Sequence, residues 1–260
     1  VTPTDLITPT LELDEGSIAG YRRDGYIHIP GVLTPEEVAR YRAALGRVYD
    51  RENGLGETDP AYSRIFKQVI QLWKVDPVLR ELTLHPALAA LATQLAGVPL
   101  RLWHDHMLVK RPHNGAPTEF HQDSPLWPHA DSRHSLSAWI ALIDVPVERG
   151  CMTFLPRQQH RTDIRPANLK DKTDMFVAAP DLNYAPRVTV PLRAGDVTFH
   201  NGYTPHTANA NDTDEFRWAF VVAFMDRQTT YNGAPHPITD AETPPLGSVF
   251  TDEDFPPVPA

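Results

Sequence analysis

The stretch Arg217-Trp218-Ala219-Phe220-Val221-Val222-Ala223-Phe224-Met225 alternates small and bulky side chains. A period of two marks a strand whose two faces meet different surroundings. Arg217, Ala219, Val221 and Ala223 share one face, and Trp218, Phe220, Val222 and Phe224 share the other. The bulky face is suited to pack beneath helices. The small-residue face leaves room beside a lone arginine for a buried anion, or for pairing with a core aspartate.

Working outward, short strands are predicted at Leu100 to Val109, Thr118 to Asp123, Ser137 to Val145, Met152 to Leu155, Val188 to Leu192, Asp196 to Phe199 and His206 to Asn209. Turn signals separate them: Asn114-Gly115, Arg149-Gly150, Ala194-Gly195-Asp196 and Asn211-Asp212. Upstream, Tyr26 to Ile29 reads as a strand. Thr34-Pro35-Glu36-Glu37 then combines a capping threonine, a proline at the first helical position and a capping-box glutamate. The stripe Val38, Tyr41, Leu45 and Val48 carries that helix to about Glu52. Further helices are predicted over 62–73 and 86–96, the latter ending before Gly97. The expected fold is mainly β: a sandwich or jelly-roll core over about 98–226, with a helical N-terminal part (about 15–97) packed on it. The proline-rich stretch 232–260 is expected to wrap the surface, and residues 1–260 read as one domain.

Composition narrows the function. The 260 residues are 41% apolar and 22% charged, as in folded globular proteins, and no run is long and apolar enough to span a membrane. A net charge of −9 argues against a nucleic-acid or anionic-membrane surface. The polar start, Val1 to Glu15, lacks an apolar leader core, and a single cysteine, Cys151, excludes a disulfide framework and multi-cysteine metal sites. A cytoplasmic protein acting on a small molecule is expected. Among 12 histidines, a search for a metal site is warranted.

Within Thr118-Glu119-Phe120-His121-Gln122-Asp123, strand alternation would put His121 and Asp123 on one face and Gln122 on the other. Two histidines and one carboxylate form the facial triad that leaves open positions on non-haem Fe(II). The segment Gly195-Asp196-Val197-Thr198-Phe199-His200-Asn201-Gly202-Tyr203-Thr204-Pro205-His206 offers a distant third ligand. His206 fits better than His200, because Arg217 follows it by eleven residues. A hairpin is expected to set His206 and Arg217 on neighbouring strands. His104-Asp105-His106 is a second possible metal pair, though Lys110 and Arg111 stand where a cupin would carry glutamate. His104 or His106 more plausibly faces the pocket.

These motifs resemble the phytanoyl-CoA dioxygenase family. So do Asp24-Gly25-Tyr26-Ile27-His28-Ile29-Pro30-Gly31-Val32-Leu33, Trp139-Ile140-Ala141-Leu142-Ile143-Asp144-Val145 and Glu148-Arg149-Gly150-Cys151-Met152-Thr153-Phe154-Leu155-Pro156. The resemblance covers about residues 20–226. It implies a double-stranded β-helix core and a dioxygenase using Fe(II), 2-oxoglutarate and O2. It also implies His121, Asp123 and His206 as metal ligands and catalytic centre. Arg217 would take the distal carboxylate of 2-oxoglutarate, with Trp139, Thr118 and, more weakly, Lys110 lining its pocket. Many family members carry Ser or Thr two residues after the distal histidine; here that residue is Ala208, with Thr207 as a possible substitute. A carboxylate at Asp123 favours oxygenation over halogenation. Trp127, Trp103 and Met152 are candidates for the substrate wall. Arg161, Arg165, Lys170 and Lys172 lie on a long connection that could form a lid. The reading is an oxygenase acting on a small organic molecule of secondary metabolism, by hydroxylation or by a related cyclisation or epimerisation. The alternatives are a non-catalytic metal and 2-oxoglutarate sensor, or a zinc hydrolase, which would leave Arg217 and Trp139 without a task.

Overall fold

In the computed structural model, residues 11–53, 67–164, 175–240 and 244–258 are described. The strands are β1 (Tyr26–Ile29), β2 (Lys67–Ile70), β3 (Leu100–Lys110), β4 (Thr118–His121), β5 (His129–Ala130), β6 (Leu136–Ala141), β7 (Met152–Phe154), β8 (Val188–Val190), β9 (Val197–Asn201), β10 (His206–Ala208), β11 (Arg217–Asp226) and β12 (Thr230–Tyr231). They form a six-stranded sheet in the order β1-β9-β6-β11-β3-β2, a four-stranded sheet β4-β10-β7-β8, and a small β12-β5 pair. All the pairings are antiparallel.

The helices are α1 (Glu15–Asp24), α2 (Pro35–Asn53), α3 (Pro77–Thr83), α4 (Pro86–Ala96) and the single turn α5 (Met175–Ala178). The α2 capping box forms as the sequence suggests. Thr34 N–H donates to Glu37 Oε2 at 2.8 Å, and Glu37 N–H donates to Thr34 Oγ1 at 3.2 Å. Gly97 closes α4 with a left-handed φ of 70°. Two helices exceed the sequence expectation. α1 is capped by the Asp14 carboxylate and α3 by that of Asp76. Residues 62–73 do not form the expected helix: 62–66 lie outside the described residues, Lys67–Ile70 is an edge strand, and a 3-10 turn covers Leu72–Lys74. Pairing with β3 decides that segment. Its turn is also held by Asp105, whose carboxylate accepts from Leu72 N–H, Trp73 N–H and Thr83 Oγ1.

The two faces of β11 separate as the alternation requires. Phe220, Val222 and Phe224 join Leu45, Leu88, Leu91 and Leu95 in the main core beneath the helices. Ala219 and Val221 face the other way, into a second core with Trp139, Cys151, Met152, Phe154 and Ala208 from both sheets. The interior between the sheets is therefore lined by Tyr26, stacked on Phe154 at 4.5 Å across the gap, and by the inward residues of β9, β6, β11 and β3. This is the jelly roll. The C-terminal segment does more than wrap the surface. Phe250 and Phe255 are buried against Trp103, and Leu102 N–H donates to Pro256 O.

Candidate active site

His121, Asp123 and His206 each offer one ligand atom, all within 4.8 Å of one another. Their convergence is not the product of strand alternation. β4 stops at His121, and Asp123 has helical dihedrals (φ −75°, ψ −53°) that open a 3-10 turn over Ser124–Leu126. The chain turns its carboxylate back onto the histidine, while Gln122 points away and donates to Arg161 O and Tyr203 O. Gly202 makes that turn possible. Its carbonyl accepts from Ser124 N–H, and a Cβ there would sit 2.1 Å from Ser124 Oγ. A bulge in β4 sets a second residue. His206 pairs with His121 and Ala208 with Thr118, so two residues of β10 oppose a three-residue step of β4. Thr118 and His121 therefore share the inner face.

The protonation pattern suits a metal. His121 Nδ1–H donates to Glu119 O at 2.8 Å and His206 Nδ1–H to Thr204 O at 2.9 Å. Each leaves Nε2 as a lone pair directed at Asp123 Oδ1, at 3.5 and 3.7 Å. Those separations are too long for hydrogen bonds and suit donors that share one ion. The other carboxylate oxygen, Oδ2, accepts from Ser137 Oγ at 2.9 Å and His200 Nε2 at 3.3 Å. Such outer partners fix a ligand's orientation. His200 thus lies behind Asp123 and is not part of the three-residue cluster. Burial would raise the Asp123 carboxyl, but the electrostatic influence of neighbouring His206 and the hydrogen bond from His200 outweigh it and hold the group well below its ordinary value. Burial, with His121 and His200 nearby, pushes His206 well below its ordinary value. An ionised carboxylate and neutral imidazoles are the forms that bind a metal.

Arg217 lies elsewhere in the same interior. It is fully buried, its Nε, Nη1 and Nη2 have no hydrogen-bond partner, and its guanidinium lies 5.3 Å over the Trp139 ring. Burial lowers its pKa to about 9. A buried, unpaired cation calls for an anion. Trp139 links the two ends: it is two residues, about 7 Å of strand, from Ser137, which touches Asp123. The expected hairpin of His206 and Arg217 does not occur. β10 belongs to the four-stranded sheet and β11 to the six-stranded one, so the two residues enter the interior from opposite walls.

The remaining sequence candidates separate. Lys110 is fully buried, and Nζ donates to Ala116 O, Ala208 O and Asn209 O at 3.0, 3.2 and 2.7 Å. Its three donors are committed to the backbone, which corrects its expected place on the co-substrate. Thr207 is likewise occupied, donating to Thr118 O, and it faces away from His206. Met152 pairs with Ala208 and belongs to the core around Trp139, away from Trp103 and Trp127. Trp103 stacks on Phe255 at 5.3 Å, so the C-terminal segment covers it, while Trp127 lies edge-on to His104. Of the lid candidates, Arg161 is bound to Asp163 and Asp181, and Arg165, Lys170 and Lys172 lie outside the described residues. Ser137 carries no signal in the sequence; the β6–β9 pairing sets it opposite His200, and both reach Asp123 Oδ2.

A jelly roll with a two-histidine, one-carboxylate cluster and a lone buried arginine in one interior defines a class, the non-haem iron oxygenases that use 2-oxoglutarate and O2. Comparison with known proteins is specific: the chain belongs to the phytanoyl-CoA dioxygenase (PhyH) family, whose sequence model matches residues 21–219. It is a 2-oxoglutarate-dependent non-haem iron enzyme. Among solved structures, it is similar to the non-haem alpha-ketoglutarate-dependent carbocyclase SnoK from nogalamycin biosynthesis. Identity is 38%, covering 95% of this chain and 97% of that one, with a TM-score of 0.86. It is also similar to the epimerase SnoN in complex with Fe3+, alpha-ketoglutarate and nogalamycin RO. There the identity is 37%, covering 94% and 98%, with a TM-score of 0.81. Phytanoyl-CoA dioxygenase domain-containing protein 1 of Mus musculus is 30% identical over 161 residues, 60% of this chain. The match spans about half of that relative, 55%.

Proposed function

We propose that His121, Asp123 and His206 hold Fe(II), that Arg217 takes the distal carboxylate of 2-oxoglutarate beside Trp139 and Thr118, and that a small organic molecule is oxidised at a C–H bond. The carrying observation is the pair of unmet needs in one interior: three convergent metal donors and a guanidinium without an anion. Iron with 2-oxoglutarate and O2 supplies an oxidant for unactivated C–H bonds, the co-substrate leaving as succinate and CO2.

The chain's own residues supply placement. Glu119 O and Thr204 O fix the histidine rings, and Ser137 and His200 hold one carboxylate oxygen so that the other faces the ligand position. The apolar surroundings of Arg217 strengthen its attraction for a carboxylate. Hydroxylation, ring closure and epimerisation differ in how a substrate lies against the same centre. The full-length likeness to a carbocyclase and an epimerase favours a role in secondary metabolism. A zinc hydrolase would leave Arg217 unpaired. Among the described residues no helix is long and apolar enough to cross a membrane. The net charge of −9 and the free, buried Cys151 support a cytoplasmic enzyme that does not bind nucleic acid. In air, Fe(II) and 2-oxoglutarate should yield succinate with wild-type protein and none with His206→Ala. Equal succinate from both would overturn the assignment.

A further inference from the structure

The inner face of β3 carries an unusual pair. His104 and His106 lie two residues apart on the wall opposite Ala223 and Val221 of β11, and His106 also pairs with Ile70 of β2. Their Nδ1 atoms are 3.2 Å apart, with ring centroids at 5.0 Å. His104 is buried, whereas His106, Leu108 and Ile70 are partly exposed, so this stretch of wall is open. Beside it stand Ile70, Leu108, Val221 and Ala223, with the uncharged Gln68 paired to Leu108 on the same face.

A contact between two Nδ1 atoms requires one ring to donate and the other to accept, which locks the relative tautomers. Whichever way it runs, His106 keeps Nε2, which has no partner among the described residues. If His104 donates, Nε2 of His106 carries the proton and is a donor; if His106 donates, Nε2 is an acceptor. A hydroxyl group can answer both states, since it donates and accepts. His104 is itself backed at 6.3 Å by the ring of His236 and at 6.1 Å by that of Trp127. His236 lies beyond the family-matched residues 21–219, so this support is supplied by the chain's C-terminal segment. Burial pushes His106 to about 4 and His104 well below its ordinary value, so both rings are neutral near pH 7. In register, His104 and Ser137 flank Ala223 of β11 on either side, and Ser137 donates to Asp123, which places the histidine pair on the side of the metal-binding cluster.

We propose that His106, held in place by His104, is a substrate-positioning residue that hydrogen-bonds a hydroxyl group of an uncharged, largely apolar substrate beside the His121–Asp123–His206 cluster. This rests on the reading of that cluster as the metal centre. Among the described residues this wall offers a charged substrate group no counter-charge, and a substrate without an oxygen would leave His106 Nε2 unpaired.

The test uses the full chain loaded with Fe(II) and 2-oxoglutarate under argon, so that binding is read without turnover. Equilibrium dialysis compares 2-naphthol with 2-methylnaphthalene, which has the same shape and no hydroxyl, and with 2-naphthoate, which is anionic. Wild-type protein should bind 2-naphthol about five- to tenfold more tightly than 2-methylnaphthalene, the range of one net hydrogen bond, and 2-naphthoate most weakly. His106→Leu should erase the preference while binding 2-methylnaphthalene unchanged, and His106→Asn should restore part of it. His104→Phe, which keeps the ring and loses the tether, should reduce the preference about two- to threefold. It carries the test if the leucine variant does not fold. The absorption band of the iron–2-oxoglutarate complex is recorded on the same samples. An intact band with the 2-naphthol preference unchanged in His106→Leu overturns the His106 assignment alone, as does wild-type protein without that preference. No band in wild-type protein overturns the metal-centre reading beneath it.

Discussion

Replacing Arg217 with methionine should stabilise the ligand-free protein and abolish its response to 2-oxoglutarate. The guanidinium is fully buried without a hydrogen bond, and burial moves its pKa from 12.5 to about 9. That depression corresponds to about 4–5 kcal/mol of destabilisation. The sign follows from the folded-state pKa lying below the unfolded one. The penalty is complete below pH 9 and is relieved only as pH rises through 9 toward 12.5. The Trp139 ring at 5.3 Å returns about 2 kcal/mol. The net, about 3 kcal/mol, lies within the gain of about 1–4 kcal/mol found when apolar side chains replace buried ions. For a chain of this size it corresponds to a rise of roughly 6–12 °C in Tm. Wild-type protein under argon with Fe(II) should gain about 2.7 kcal/mol from 2-oxoglutarate at one hundred times its Kd. Arg217→Met should gain none. Thermal unfolding with and without the keto acid reads both effects. A variant less stable than wild type without ligand, yet still stabilised by 2-oxoglutarate, would refute the argument that Arg217 is an unpaired cation awaiting this anion.

Two further outcomes follow from buried charges outside the metal cluster. Lys110→Met removes the donor shared by Ala116 O, Ala208 O and Asn209 O. It should cost about 2–4 kcal/mol in denaturant unfolding while leaving the 2-oxoglutarate Kd within about threefold. A large change in Kd with stability intact would return Lys110 to the co-substrate pocket. Burial raises the Asp105 carboxyl to about 6, against the donors on Thr83, Leu72 and Trp73. Its folded-state pKa exceeds the unfolded value of 3.8, so its contribution is complete below about pH 4 and is lost as pH rises through 6. Relative to Asp105→Asn, wild-type stability should fall by about 3 kcal/mol between pH 4 and 7. A difference that does not change with pH would contradict this.

Patterns that depend on near neighbours were legible in the sequence. The alternation from Arg217 to Met225 gives a strand with a helix-facing side and an interior side, and both form as read. The Thr34–Glu37 capping box is equally local. Strand partners are not local. Nothing in the spacing of His206 and Arg217 distinguishes a hairpin from two strands in facing sheets, and the second is what forms. His121, Asp123 and His206 do converge, but through another geometry than the spacing suggests. Alternation would have aligned His121 and Asp123, but a helical turn at Asp123 does so, permitted by the missing Cβ of Gly202. Lys110 illustrates a further limit. A buried lysine near a proposed anion site suggests a ligand, but the carbonyls of nearby Ala116 and of distant Ala208 and Asn209 take its protons first. Residues 67–70 became a strand because β3 offers them an open edge.

On this reading His121, Asp123 and His206 hold iron where 2-oxoglutarate, anchored by Arg217, can chelate it. The most direct measurement of this is visible absorption on anaerobic addition of Fe(II) and 2-oxoglutarate to metal-free protein. A charge-transfer band should appear with wild-type protein and be absent with Asp123→Ala and His206→Ala. Iron bound by wild-type protein without that band, or a band that persists in both variants, would rule out this metal and co-substrate site.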